Sequence, residues 1–169
     1  SSATRRLLEP LANTSSLRTL SLHWFPEHYG RRWPSWSPSV LPRSLQTLHS
    51  NLPIYDQDFV DLPRGLTSLE LKRLESVTGE GFKLLPPSLA HLRLFITSDI
   101  LQTLTQYLRQ LPSSLTSLDL PYLAHINPLF LGQLPKTLLS LNLSRVHILD
   151  NHDLDLLPRG LTHLNIKAT

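Results

Sequence analysis

The chain has neither cysteine nor methionine among its 169 residues. Without cysteine, a disulfide framework and thiolate metal sites are excluded, and the composition suits a reducing compartment, so an intracellular location is the expectation. With no methionine even at position 1, the chain is expected to be a fragment or a processed product. No run of about 18 apolar residues is present, so nothing is expected to span a membrane, and the N-terminus has no signal-peptide pattern. A large excess of one charge is also lacking. Sixteen basic residues stand against thirteen acidic ones, for a net charge of +3. A dedicated nucleic-acid binder concentrates its positive charge in a stripe, so nucleic acid is not the expected partner. Hydrophobic residues at 40% and charged residues at 17% point to a folded domain with a real core.

What is present in excess is leucine, with 41 copies. Aligned on Leu-x-x-Leu-x-Leu, the chain shows seven units that begin at Leu17, Leu45, Leu66, Leu89, Leu115, Leu138 and Leu161. The second unit has Ser50 where the third leucine belongs, and the last has Ile166. Six units carry a Leu-Pro pair ahead of the first leucine, with the prolines at 42, 63, 86, 112, 135 and 158. Two leucines two apart, such as Leu69 and Leu71, point to one face of a strand. One unit cannot bury its leucines alone, but stacked units cover one another. Proline cannot continue a helix and biases its predecessor toward extended geometry, so each Leu-Pro pair ends a return segment and turns the chain into the next strand. The small residue before each first leucine (Ser44, Gly65, Ser88, Ser114, Thr137, Gly160) fits a tight corner.

The return segments read as short helices or single 3₁₀ turns. From Ser98 to Leu111, the residues Ile100, Leu101, Leu104, Leu108 and Leu111 share one helical face, with Ser98 as the N-cap. Asp150 is placed to cap a helix through Leu157, and Thr78 another through Leu85. The segments after Asp56 and Asn127 are short enough to be single turns.

This pattern resembles the leucine-rich-repeat family from Ser16 to Lys167, and the Leu-Pro variant is similar to the LP-type repeats of bacterial effectors and to FNIP-type repeats. The usual asparagine three residues after the last leucine is replaced by Phe25, Pro53, Leu74, Thr97, Leu123, Val146 and Thr169, so other hydrogen bonds must serve the loop there. The resemblance implies one α/β domain over residues 1–169: a right-handed solenoid, or horseshoe, with about seven parallel strands on the concave face and short helices or 3₁₀ turns on the convex face. It also implies which side chains face the concave surface. Those expected to bind a partner are His49, Glu70, Lys72, His91, Arg93, Phe95, Asp119, Asn142 and Asn165. Glu70, Arg93 and Asp119 fall in one column and should be lateral neighbours. They either pair with one another in solvent or form a polar docking strip beside Phe95.

A Trp- and Pro-rich insertion at 24–40 lengthens the first repeat and holds all three tryptophans. Its Trp24, Arg31, Arg32, Trp33 and Trp36 are of the types enriched at binding hot spots. They also suit a cover folded back over the end of the solenoid, or weak stacking on RNA. His147, Asp150, His152, Asp153 and Asp155 lack calcium-loop spacing, and acids there suit helix caps. Gly79-Glu80-Gly81 lacks the rest of a phosphate loop. The histidines and serines form no triad spacing, and no catalytic residue, metal or cofactor is expected. The expected function is a non-enzymatic module that binds a protein partner through the concave strands. The alternative is a spacer array within a larger protein, such as a ubiquitin-ligase adaptor or effector. The leucines of the last unit are open to an end-to-end contact.

Overall fold

The computed structural model describes residues 8–23, 36–74, 77–96, 98–121, 126, 128–143 and 151–166. Seven strands form one parallel sheet in sequence order: β1 (Thr19–Leu22), β2 (Thr47–Ser50), β3 (Ser68–Leu71), β4 (His91–Leu94), β5 (Ser117–Asp119), β6 (Ser140–Asn142) and β7 (His163–Asn165). Each strand is the second half of a Leu-x-x-Leu-x-Leu unit, and the register places equivalent residues side by side, Leu48 against Leu69 and Leu69 against Leu92. The return segments are 3₁₀ turns at Pro38–Val40, Asp56–Asp61 and Glu80–Leu84, then helices α1 (Ser98–Tyr107), α2 (Pro128–Gly132) and α3 (Asn151–Leu154). Among the described residues no helix is long and apolar enough to cross a membrane.

The leucines are buried as stacked columns. Leu45, Leu66, Leu89, Leu115 and Leu138 are wholly buried, and so are Leu71, Leu94, Leu120 and Leu143 at the third position. Phe59, Phe82, Leu108 and Leu131 close the core from the convex side. Phe59 meets Phe82 edge to face at 5.7 Å. Ser50 keeps the leucine's buried place, and its hydroxyl accepts the Leu52 N–H at 3.1 Å, so its polar atom is satisfied. In the last repeat Leu164 is 44% exposed, whereas Leu141 beside it is buried.

The Leu-Pro signal has a specific geometry. In all six copies the proline carbonyl accepts the N–H of the first leucine at 3.0–3.2 Å, closing a four-residue turn. The next repeat is then clamped on. The carbonyl after each first leucine (Arg18, Gln46, Thr67, Ala90, Thr116, Leu139) accepts two successive N–H groups of the following repeat at 2.8–3.0 Å.

The small residue at the corner does more than fit. The Ser88 hydroxyl lies 2.7 Å from the carbonyls of both Arg64 and Leu66, and that of Ser114 lies 2.7 Å from those of Pro87 and Leu89. Ser44 bonds the Leu17 carbonyl and Thr137 the Leu115 carbonyl, each at 2.8 Å. A hydroxyl ladder therefore ties each repeat to the one before it. Gly65 and Gly160 interrupt it, and a Cβ there would lie 3.7–3.9 Å from the equivalent carbonyl oxygens, in ordinary contact. A serine Oγ added at either glycine comes within bonding reach. Gly65→Ser and Gly160→Ser are each expected to stabilise the chain by about 0.5–1.5 kcal/mol, through a new bond and a less flexible unfolded chain. Ser88→Ala should cost about 1 kcal/mol. Denaturant midpoints measure both, and a serine that lowers the midpoint refutes the ladder.

One expected cap and one expected helix end are corrected. Thr78 does not cap a helix: Gly79, at φ 95°, precedes the 3₁₀ turn Glu80–Leu84. A positive φ suits glycine and not threonine. Thr78 instead donates its N–H and O–H to Asp56 Oδ2 at 2.8 and 2.7 Å. The helix expected to reach Leu157 spans only Asn151–Leu154, and Asp150 lies outside the described residues. The helix from Ser98 runs as expected. Ile100, Leu101, Leu104, Leu108 and Leu111 are all buried, and a 3₁₀ turn at Leu108–Gln110 finishes it.

Candidate binding face

Side chains alternate along a strand, so the leucines that fill the core force their neighbours to the opposite face. Register then decides which of these meet. Glu70 on β3 pairs with Arg93 on β4, and Arg93 with Asp119 on β5. The expected lateral set is thus assembled, and its members bond. Arg93 Nε is 3.1 Å from Asp119 Oδ2, and its Nη1 is 3.8 Å from Glu70 Oε2. Lys72 Nζ reaches Glu70 Oε1 at 3.1 Å from the outer side. The Asn142 amide donates to Asp119 Oδ1 at 2.7 Å. Five side chains from four repeats form one chain of alternating donors and acceptors.

Phe95 belongs to the same network. Its ring is half-buried just past β4, with the Arg93 guanidinium 5.1 Å and the Lys72 ammonium 5.7 Å from its centre. Both distances suit a cation over an aromatic face. Backbone bonds from Lys72 to Ser50 (2.9 Å) and from Phe95 to Leu71 (3.0 Å) hold these residues in line with the sheet. This arrangement was legible only in part. Two units of the repeat put Lys72 and Phe95 at one position, but their contact through Arg93 needs the structure.

Burial pushes the Asp119 carboxyl above the usual 3.8, and nearby Glu70 adds to that rise, while Arg93 and the Asn142 amide work against it. The Glu70 and Asp119 side chains are only 15% and 24% exposed, so the acids of the strip are partly withdrawn from water. It is a structured polar surface rather than a set of freely solvated charges.

His49 and His91 join Glu70, Arg93 and Asp119 around a hollow of about 190 Å³. A wider one, about 570 Å³, lies over Asp119, Ser140, Asn142, His163 and Asn165. Seven of the nine residues expected to bind a partner line these two hollows, and Lys72 and Phe95 lie one residue past β3 and β4. The insertion residues Trp24, Arg31, Arg32 and Trp33 lie outside the described residues. Trp36 is half-buried against the core, and its indole N–H donates to the Pro53 carbonyl at 2.8 Å.

No family model matches the chain, and no curated protein matches it. Among solved structures it is similar to the leucine-rich repeat-containing protein LegL7 from Legionella pneumophila. The identity is 21% and the TM-score 0.57, over 90% of this chain and 55% of that one, so the chain spans about half that protein's length. A second similar structure is CroV588, described as a novel circular leucine-rich-repeat protein, at 24% identity and TM-score 0.43, covering 76% of this chain and 21% of that one. The seven-strand parallel sheet and the LegL7 similarity make this an α/β leucine-rich-repeat solenoid.

Proposed function

We propose that this leucine-rich-repeat solenoid is a non-enzymatic module that binds a segment of a partner protein along its concave strands. The observation that carries the reading is the network of Lys72, Glu70, Arg93, Asp119 and Asn142 around Phe95, held on a rigid sheet. Such a strip costs little to order on binding, because its side chains already hold one another in place. It supplies one aromatic anchor, an Arg, and acceptors on both sides, which are the ingredients of an interface hot spot. Parallel strands about 4.8 Å apart give seven strands a width of roughly 29 Å, enough for an extended or helical protein segment.

The test is affinity capture from host extract, with the wild type run beside Glu70→Ala/Arg93→Ala/Asp119→Ala, both shown to be folded by circular dichroism. A protein retained by the wild type and lost by the triple variant is the expected result. Equal capture by both proteins moves the site off this strip, toward the tryptophan insertion. The absence of any specific capture favours the spacer array.

A further inference from the structure

We propose that the edge formed by the Leu-Pro turns is a second docking surface, which takes an extended acidic segment of a partner protein. Arg43, Arg64, Lys136 and Arg159 each follow a turn proline. The turn bond from proline carbonyl to leucine N–H sets that residue at the first corner, and all four side chains are exposed. Because the turns stack, the cations fall in two pairs on adjacent repeats, Arg43 with Arg64 and Lys136 with Arg159. Arg43 and Arg64 line a hollow of about 440 Å³ together with Val60 and Asp61. Arg109 and Lys136 line another, of about 510 Å³. Along the sequence these residues are scattered, which is why a net charge of only +3 conceals them.

The two faces differ in how their charge is used. On the concave face Lys72 and Arg93 are engaged by Glu70 and Asp119. Among the described residues, Arg43, Arg64, Arg109, Lys136 and Arg159 form no ion pair. Their complement is anionic, and an acidic peptide fits better than a polynucleotide. The first hollow offers Val60, 52% exposed, as an apolar seat. Neither hollow is lined by an aromatic ring on which a base could stack. Asp61 lines the same hollow as the first two arginines, and Pro87 and Ser113 replace the cation in the fourth and fifth repeats. A phosphate backbone carries charge at every step and meets these breaks. A peptide can set its carboxylates on the arginines, where bidentate pairing is available, and an apolar side chain on Val60. From the second to the seventh repeat the edge runs roughly 24 Å at the strand spacing, which an extended peptide covers in about seven residues.

The probe is a fluorescein-labelled twelve-residue peptide of alternating Glu and Leu, titrated by anisotropy with the full chain. Controls are the same peptide with Gln for Glu and a twelve-nucleotide poly(U) RNA. Arg43→Gln/Arg64→Gln is expected to weaken the acidic peptide about tenfold and to flatten its salt dependence. Lys83→Gln, which removes a cation that pairs with Glu80 away from this edge, should leave it unchanged. Thermal melts of both variants confirm that they fold. No binding of the acidic peptide, equal binding of the Gln peptide, or binding indifferent to the arginines each overturns the proposal. Tighter binding of the RNA at the same salt overturns the assignment to a peptide.

Discussion

Gly81→Ala is expected to lower the melting temperature by about 10 °C, although it adds a single methyl group. A Cβ at Gly81 would lie 2.6 Å from Phe59 Cδ2 and 3.0 Å from both Cα and the carbonyl oxygen of Asp56. Non-bonded carbons prefer about 3.5–4.0 Å. Phe59 cannot yield, because it is wholly buried and set edge-on against Phe82. The Asp56 atoms are backbone. The only relief is to lift one return turn off the other, which breaks the bond from the Gly81 N–H to Asp56 Oδ1 at 2.8 Å. Overpacking costs about 1–3 kcal/mol and the lost bond to a carboxylate about 1–2 kcal/mol. A double-mutant cycle isolates the cause. Phe59→Ala alone should cost about 3–5 kcal/mol, and the pair should cost clearly less than the sum. A melting temperature for Gly81→Ala within about 2 °C of wild type would show that the turns are not packed this tightly.

The same joint carries a pH signature. Burial raises the Asp56 carboxyl, but bonds from the Thr78 hydroxyl and from the N–H groups of Thr78, Gly81 and Gly79 outweigh it and hold the group below 3.8. A carboxylate depressed in the folded state contributes stability above its unfolded value and loses it as the pH falls through the folded one. Acid therefore loosens this joint only below about pH 4.

The periodic part of the fold was readable from residues alone, since stacked repeats must write their core at a fixed spacing. Leu45, Leu66 and Leu89 mark the columns, and the Leu-Pro pairs mark the turns. The set Glu70, Arg93 and Asp119 followed from register, because a parallel sheet of in-phase repeats sets equivalent residues side by side. Contacts between one repeat and the next were the illegible part. Ser88 reads as merely small until the two carbonyls within reach of its one O–H are known. Thr78 reads as a cap until Asp56, 22 residues earlier, is seen to accept from it. The glycines at 79 and 81 fail as a phosphate loop for want of the rest of its pattern. They have separate structural causes, a positive φ at one and a close approach at the other.

Arg93→Ala is expected to weaken partner binding at least tenfold while the solenoid stays folded. Arg93 is the hinge of the concave strip, touching Asp119, Glu70 and the Phe95 ring. Its side chain is 45% exposed. Two partly exposed ion pairs and a cation–aromatic contact together contribute about 1–2 kcal/mol to stability. Its removal leaves Glu70 and Asp119 as acids two strands apart with no cation between them. The Asp119 carboxyl, already raised by burial, then rises further, and a carbon-detected titration of its side chain should record that direction. The sign of the linkage follows. An acid raised in the folded state takes up its proton there first, so the stability gap between variant and wild type is widest at neutral pH and narrows as Asp119 protonates. Truncating a hot-spot arginine costs about 2 kcal/mol or more, which exceeds tenfold in affinity. Arg93→Lys keeps the charge but not the planar fork, so it should restore the Asp119 titration more fully than the affinity. If Arg93→Ala shifts Asp119 as described yet leaves partner capture intact, the network serves the solenoid alone and the partner contacts another face.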